Sequence, residues 1–305
     1  MSHFVARRHL MVMGAVFHAG ELEAQRLADV VDEAHAVGRI IGDSISAPAA
    51  RFLTRQRLAI ASTTDSQGRV WASPLTGPPG FLSAVDSGML WSSGQPVAGD
   101  PLRETLATSA PIGLLVIDPR TRQRMRFNGR GLLTAEGVFV EVAQVYGNCP
   151  KYIQLRAEVE DGKAVAEAPL VSPQLNAAQR SWIEATDTMF IATAHPQAGA
   201  DASHRGGRPG FIEVEGPTRL SFPDYQGNNM FNTLGNLLVN PNAGLLFIDF
   251  EHGHILQLTG TACVVAERRI AFDISESRET RNALALRYRF LEYSPAHPDS
   301  CHTAL

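Results

Sequence analysis

Residues 59–81, AIASTTDSQGRVWASPLTGPPGF, and residues 189–211, MFIATAHPQAGADASHRGGRPGF, carry one pattern at two places in the chain. At an offset of 130, Thr63, Gln67, Ala72, Ser73, Gly77, Pro79, Gly80 and Phe81 recur as Thr193, Gln197, Ala202, Ser203, Gly207, Pro209, Gly210 and Phe211. Further on the offset becomes 131, where Gly113-Leu-Leu-Val-Ile-Asp118 matches Gly244-Leu-Leu-Phe-Ile-Asp249 and Gly129 matches Gly260. Two blocks in the same order at nearly the same spacing read as a duplicated domain. The differences are informative too: Pro74, Leu75 and Pro78 of the first block become His204, Arg205 and Arg208 in the second.

The 305 residues suit two domains of ordinary size, and 44% apolar with 19% charged residues is usual for a soluble globular chain. A net charge of −4 offers no general attraction for nucleic acid or an anionic membrane. Three scattered cysteines, Cys149, Cys263 and Cys301, argue against a disulfide framework and for a reducing compartment. No run reaches the length of a membrane span. The start, MSHFVARRHLMVMGAVFHAGE, is a poor signal peptide because histidine and glycine interrupt its apolar stretch. The expected location is cytoplasmic.

Helical spacing predicts a helix over 21–37 stopped by Gly38, and a short one over 48–56. From Leu58 the rhythm changes to short β-type runs, followed by a helix over 101–110 with Asp100 as N-cap and Pro101 as first residue. Strands then cover IGLLVID, MRFNGRGLLT and GVFVEVAQVY. The second copy repeats the order: a helix over 176–186 capped by Asn176, strands at 188–194, 200–204, 211–215 and 218–222, a helix over 229–239, and strands at 243–250 and 254–266. The domains are an N-terminal helical extension (1–47), copy one (48–157), copy two (176–280) and a C-terminal tail (281–305) that begins as a basic helix. Residues 157–175 form the linker. Short strands interrupted by one helix predict a mainly β, α+β fold built of small closed antiparallel barrels.

Two segments carry candidate chemistry. In Asp201-Ala-Ser-His-Arg-Gly-Gly-Arg-Pro-Gly-Phe211, Ser203 brings a hydroxyl, His204 a ring nitrogen, and Arg205 and Arg208 planar forks suited to phosphate or carboxylate. The same glycines occur in copy one without the cations, so the turn belongs to the fold and the charge to one copy. In Pro223-Asp-Tyr-Gln-Gly-Asn-Asn-Met-Phe-Asn-Thr-Leu-Gly-Asn236, Asn228 and Asn229 open a helix whose free N–H groups could bind phosphate. The matching helix of copy one starts at Asp100, whose carboxylate satisfies that end already. The thiol of Cys149 beside Lys151 reads as structural. The histidines show no metal-ligand spacing, so no metal site is expected. Arg120, Arg122, Arg124 and Arg126 alternate and read as one solvated face.

The segments SHRGGRPGF, PDYQGNNMFNTLGNL, NPNAGLLFIDF and YGNCPKYIQ resemble the pyridoxamine 5′-phosphate oxidase-like family, in particular its tandem flavin-nucleotide-binding members, over roughly 50–155 and 180–266. That resemblance implies two tandem split β-barrels, FMN as cofactor, and a ring lying at a subunit interface, hence a homodimer. It assigns Ser203, His204, Arg205 and Arg208 as strand-side contacts, with Asn228 and Asn229 where many relatives have a Ser-Lys or Arg-Lys pair. No counterpart of the C-terminal Arg-x-His substrate motif is present, so vitamin B6 oxidation is not expected. The implied function is an FMN-dependent oxidoreductase on a small organic substrate, with NAD(P)H as a candidate electron donor and His204 as the one candidate proton donor. The alternatives are a non-catalytic flavin carrier or sensor, a cofactor-free interaction protein, or a haem-related split barrel using His195, His252 or His254.

Overall fold

The computed structural model describes residues 16–265 and 268–298; most of the leader-like start and Cys301 lie outside them. Helices α1 (Ala19–Leu27), α2 (Val31–Gly38) and α3 (Ala47–Leu53) precede strands β1 (Leu58–Thr64), β2 (Val70–Thr76), β3 (Leu82–Ala84) and β4 (Met89–Ser92). Helix α4 (Pro101–Thr105) follows, then β5 (Ala110–Asp118), β6 (Gln123–Thr134) and β7 (Gly137–Gly147). Short strands β8 (Leu155–Glu158) and β9 (Leu170–Ser172) lead to α5 (Ala177–Ala185). The second half continues with β10 (Thr188–His195), β11 (Gly199–Gly206), β12 (Glu213–Val214), β13 (Arg219–Pro223) and α6 (Asn232–Val239). It closes with β14 (Asn242–Ile248), β15 (Ile255–Val265), β16 (Arg269–Thr280) and β17 (Tyr288–Glu292).

Local chemistry explains several boundaries. The Asp65 carboxylate accepts from the Gln67 and Arg69 N–H groups and closes the β1–β2 turn, where Gly68 takes φ 79°. Asn176 and Gln179 form a capping box at the start of α5, and Asp100 caps α4. Other expectations need correction. The helix over 21–37 is two helices, because Asp29 turns left-handed (φ 54°) between them. The helices expected over 48–56 and 101–110 end early, at Leu53 and Thr105, and the one expected from 229 begins at Asn232. The described part of the tail, residues 281–298, contains no helix. Residues 288–292 pair antiparallel with β8, and this long-range pairing overrides the local preference.

The two sheets have the same strand order, β2-β1-β5-β6-β7-β4-β3 and β11-β10-β14-β15-β16-β13-β12, with one helix inserted at the same point of each. Each has a register shift at the matching place, Asn128/Gly129 in β6 and Thr259/Gly260 in β15. Neither sheet closes into a barrel: each order runs from one free edge to another. At one edge of the first sheet, groups across the junction take the place of a neighbouring strand. The edge strand β2 offers its Val70 and Ala72 carbonyls to the Thr259 hydroxyl and the Gln257 amide of the other half, at 2.9 Å each. An edge satisfied in this way has no need of a closing ladder.

Three cores result. One is internal to the first half, around Ile112, Leu114 and Phe127. Another is internal to the second, around Leu245, Phe247 and Phe272. The third joins the halves, with Leu58, Ile60 and Leu115 packed against Phe190, Ala202 and Leu246. At this junction Gly113 lies against the Ala200 backbone and Gly244 against the Val70 backbone, a reciprocal pair like that of a two-fold interface. A Cβ at Gly244 would stand 2.5 Å from the Val70 oxygen. Helix α1 packs not on the first half but on α6. We expect Gly113→Ala and Gly244→Ala each to destabilise the chain by about 1–3 kcal/mol. Gly147→Ala and Gly216→Ala, where a Cβ meets nothing within 4 Å, serve as controls and should change little. Denaturant midpoints measure this, and equal stability of all four variants would refute the close approach.

Candidate functional site

A cleft with about 800 Å³ of empty space, open solvent included, lies where the halves meet. The first half supplies Arg124 and Arg126 from β6, and Cys149 and Tyr152 from the loop after β7. The second supplies Ser203, His204 and Arg205 from β11, the loop between β13 and α6, and the first turn of α6. Strand alternation puts Arg124 and Arg126 on one face of β6, and that face is covered by β11 of the other half. The four alternating arginines therefore do not form one solvated face. Arg120 pairs with Asp118 and Glu158, Arg122 with Glu292, while Arg124 and Arg126 turn inward.

Arg126 is 8% exposed and sits at the centre of a polar network. It donates to the Ser203 hydroxyl at 2.5 Å, to Asn232 Oδ1 at 3.0 Å and to Asp201 Oδ1 at 3.3 Å. Asp201 also accepts from Asn128 and Asn236. Thr233 donates to Ser203 Oγ at 3.1 Å. Arg124 is different. Among the described residues it has no carboxylate partner, only His204 Nδ1 at 3.1 Å, the Lys151 carbonyl and the Cys149 sulfur. Burial pushes its pKa down to about 10. A buried guanidinium with no counter-ion is costly unless an anion joins it. The Nε atoms of Arg124, Arg126 and Arg205 are buried without a protein partner.

The sequence candidates distribute unevenly. Ser203, His204, Arg205, Asn228 and Asn229 line the cleft. Arg205 is tied to Asp224, which Arg268 also pairs with. Arg208 lies outside the lining and stacks over Tyr293 at 4.7 Å. Asn228 and Asn229 precede the helix rather than open it: Asn228 Oδ1 accepts from Met230 N, and the N-cap is Phe231. His204 is buried, with Nδ1 facing Arg124 and Nε2 unpartnered. Burial first, then Arg124 and Arg205, hold its pKa well below 6.5. The ring is neutral and accepts from Arg124 through Nδ1. His195 stacks on His18, and His252 pairs with Asp249 beside His254; none of the three lines the cleft. Backbone strain concentrates here as well. Tyr152, Asn229, Phe231 and Arg268 all line the cleft with φ between 55° and 68°.

The matching place in the first half shows what the cleft lacks. Asp100 Oδ1 accepts from the Ser73 hydroxyl at 2.6 Å and from Leu102 N–H at 2.8 Å, and Oδ2 accepts from Gln257 Nε2 at 3.0 Å. By the 130–131 offset these partners correspond to Ser203, Thr233 N–H and Arg126. Asp100 itself corresponds to Phe231, left-handed at φ 61° and giving no side-chain cap. The second half repeats the donors and omits the anion. Arg126 was the one partner with no motif of its own, and its register opposite Gln257 was the signal that could have found it.

The pyridoxamine 5′-phosphate oxidase family model matches residues 175–299, which contain every second-half group named above. No curated protein matches the chain. Among solved structures, a histidine-to-alanine variant of HupZ from Group A Streptococcus aligns at 15% identity and TM-score 0.28, over 34% of this chain and 98% of its own. An FAD-binding protein from Mycobacterium smegmatis aligns at 16% identity and TM-score 0.25, over 37% and 98%. PhuS, a heme-binding protein from Pseudomonas aeruginosa, aligns at 9% identity and TM-score 0.21, over 91% and 90%.

A depressed histidine pKa gives a signed pH dependence. As pH falls through 6.5 the unfolded ring takes up a proton and the folded one does not, so stability is lost. The full slope is about 1.4 kcal/mol per pH unit. The buried carboxyls Glu21 and Asp100, raised to about 7 and about 6, act in the opposite sense over the same range. Comparing His204→Gln with the parent cancels them. The variant should lack the histidine's share of the acid loss below pH 6.5, and parallel stability curves would disprove a buried neutral ring.

Proposed function

We propose that this chain is an FMN-binding flavoprotein that holds one flavin per chain in the cleft between its halves. On this reading it is an oxidoreductase acting on a small organic substrate. The observation that carries the reading is the missing anion at α6. Where Asp100 fills the first-half site, the second half has no carboxylate at the helix cap and presents there a hydroxyl, helix N–H groups and two buried arginines, of which Arg126 also pairs with Asp201 and Arg124 has no carboxylate partner among the described residues. A phosphate monoester fits that donor set in charge and in geometry. The family match over the same half supports a flavin in particular. When bound, the flavin supplies the redox chemistry, and the protein supplies binding, orientation and electrostatics. Arg124, Arg126, Ser203 and the Thr233 N–H would hold the phosphate. His204, neutral and fixed by Arg124, would orient that arginine rather than deliver a proton. Asp100 fills the equivalent first-half place, which supports one flavin rather than two.

The same reading takes the two halves as tandem copies of a split-barrel unit. Identical strand order, matched bulges and the reciprocal glycines support this. A single chain then supplies both walls of the cleft, and a homodimer would pair two such units. A flavin carrier without turnover is the competing function; flavin reduction by NAD(P)H followed by reoxidation with turnover separates the two.

Flavin released from denatured protein should approach one FMN per chain. Arg124→Gln should weaken FMN by roughly ten- to a hundredfold, at about 1.5–3 kcal/mol for a charge-assisted contact, and leave riboflavin nearly unchanged. Arg208→Ala should alter neither. Flavin fluorescence titrations read these values. A matching loss for riboflavin, or a loss confined to the Arg208 variant, would place the phosphate elsewhere.

A further inference from the structure

The N-terminal helix reaches the same site from behind. Helix α1 crosses α6 at Gly20 and Gly235, where a Cβ on Gly235 would stand 2.6 Å from Glu21 Cα. That approach brings three side chains of the segment onto the start of α6. Gln25 donates to the Met230 carbonyl at 3.1 Å, just ahead of the Phe231 cap. His18 caps α1, accepting from Gly20 N–H at Nδ1, and its Nε2 lies 2.9 Å from Asn236 Oδ1. Glu21, only 4% exposed, accepts from His18 N–H at 2.9 Å and from Asn232 Nδ2 at 2.5 Å. Asn232 in turn accepts from Arg126, which donates to Ser203. An unbroken hydrogen-bond chain thus runs from a buried carboxyl to the phosphate donors.

The charges around Arg126 make this chain consequential. Facing it are Glu21 from α1, Asp201 from β11, and the Tyr146 phenol from β7 at 3.3 Å. His18, with His195 of β10 stacked on it at 4.3 Å, faces Glu21 on the far side. Burial, then His195, lowers the His18 pKa, so it brings no reliable positive charge. Asp201 is held by three donors, Arg126, Asn128 and Asn236. An incoming phosphate would be a third negative group sharing Arg126. Glu21 is the one held by neutral donors, the His18 N–H and the Asn232 amide, rather than by a guanidinium.

We propose that the phosphate ligand and a proton bind together, the phosphate at the start of α6 and the proton on the Glu21 carboxyl. This rests on the flavin-phosphate reading of the cleft. Burial, then Asp201, already raise the Glu21 pKa to about 7, which puts the exchange in the physiological range. The anion raises it further. Above pH 7, binding therefore takes up a proton and affinity falls as pH rises; well below pH 7, Glu21 is protonated in both states and the dependence disappears. The phosphate's own second ionisation, near 6, acts in the opposite sense and is common to every protein variant.

Calorimetry at pH 7.5 in buffers of different ionisation enthalpy counts the protons directly. The wild-type chain should take up more protons with FMN than with riboflavin, and Glu21→Gln should abolish that difference. Between pH 6.5 and 8.5 the FMN dissociation constant of the wild type should rise about tenfold relative to that of the variant. Wild-type uptake that is the same for FMN and riboflavin overturns the proposal, and that comparison needs no variant. Parallel pH curves for the two proteins overturn it as well. A wild-type chain that fails to prefer FMN to riboflavin at any pH removes the phosphate reading itself, and this proposal with it. An FMN preference without proton uptake removes only the role of Glu21.

Discussion

Two curled sheets are pressed face to face so closely that, at Gly113 and Gly244, the backbone of one half lies where a side chain of the other would be. Much else depends on that contact. It builds the shared core of Leu58, Ile60 and Leu115 against Phe190, Ala202 and Leu246. It lets Gln257 and Thr259 satisfy the Ala72 and Val70 carbonyls on the edge strand β2. It also brings Arg124 and Arg126 of one half against β11 of the other, which is what creates the cleft. An offset of even one residue in either strand would turn those arginines to the opposite face.

The halves share their donor groups and differ in one decisive side chain. With Asp100 at the helix cap, the first half is electrostatically complete. Ser73, Leu102 N–H and Gln257 converge on a carboxylate that is part of the chain. With Phe231 in that position, the second half retains a hydroxyl and a helix N-terminus, and Arg126 in place of Gln257 adds a full charge. Asp201 and Glu21 offset part of that charge and Arg124 adds to it, so the cleft gathers positive charge locally without becoming a strongly basic patch. The overall charge of −4 is consistent with a site built from local geometry rather than from a global field.

Helix α1 shows how a segment outside both sheets enters the site. Nothing in ELEAQ marks Glu21 as different from Glu23 two residues on. Glu23 pairs with Arg26 on the surface, whereas Glu21 is enclosed against α6. Only the glycine crossing with Gly235 makes the distinction.

The repeat at offsets of 130 and 131, the mainly β character with one helix inserted in each half, the Asp100 and Asn176 caps, and the polar segments at 201–211 and 223–236 were all legible in the residues. These are local properties, since turn chemistry, alternation and capping act within a few positions. The open edges, the β17 pairing with β8, the delayed start of α6, the stacking of Arg208 on Tyr293 and the inward turn of Arg124 and Arg126 were not. Each of these depends on a neighbour far away in the chain. Arg126 meets Ser203 and Asn232 only because two sheets pack across a junction that no local pattern encodes. An alternating row of arginines looks the same in sequence whether water or another strand covers it. Which of the two applies is decided by long-range burial, and so by the tertiary structure alone.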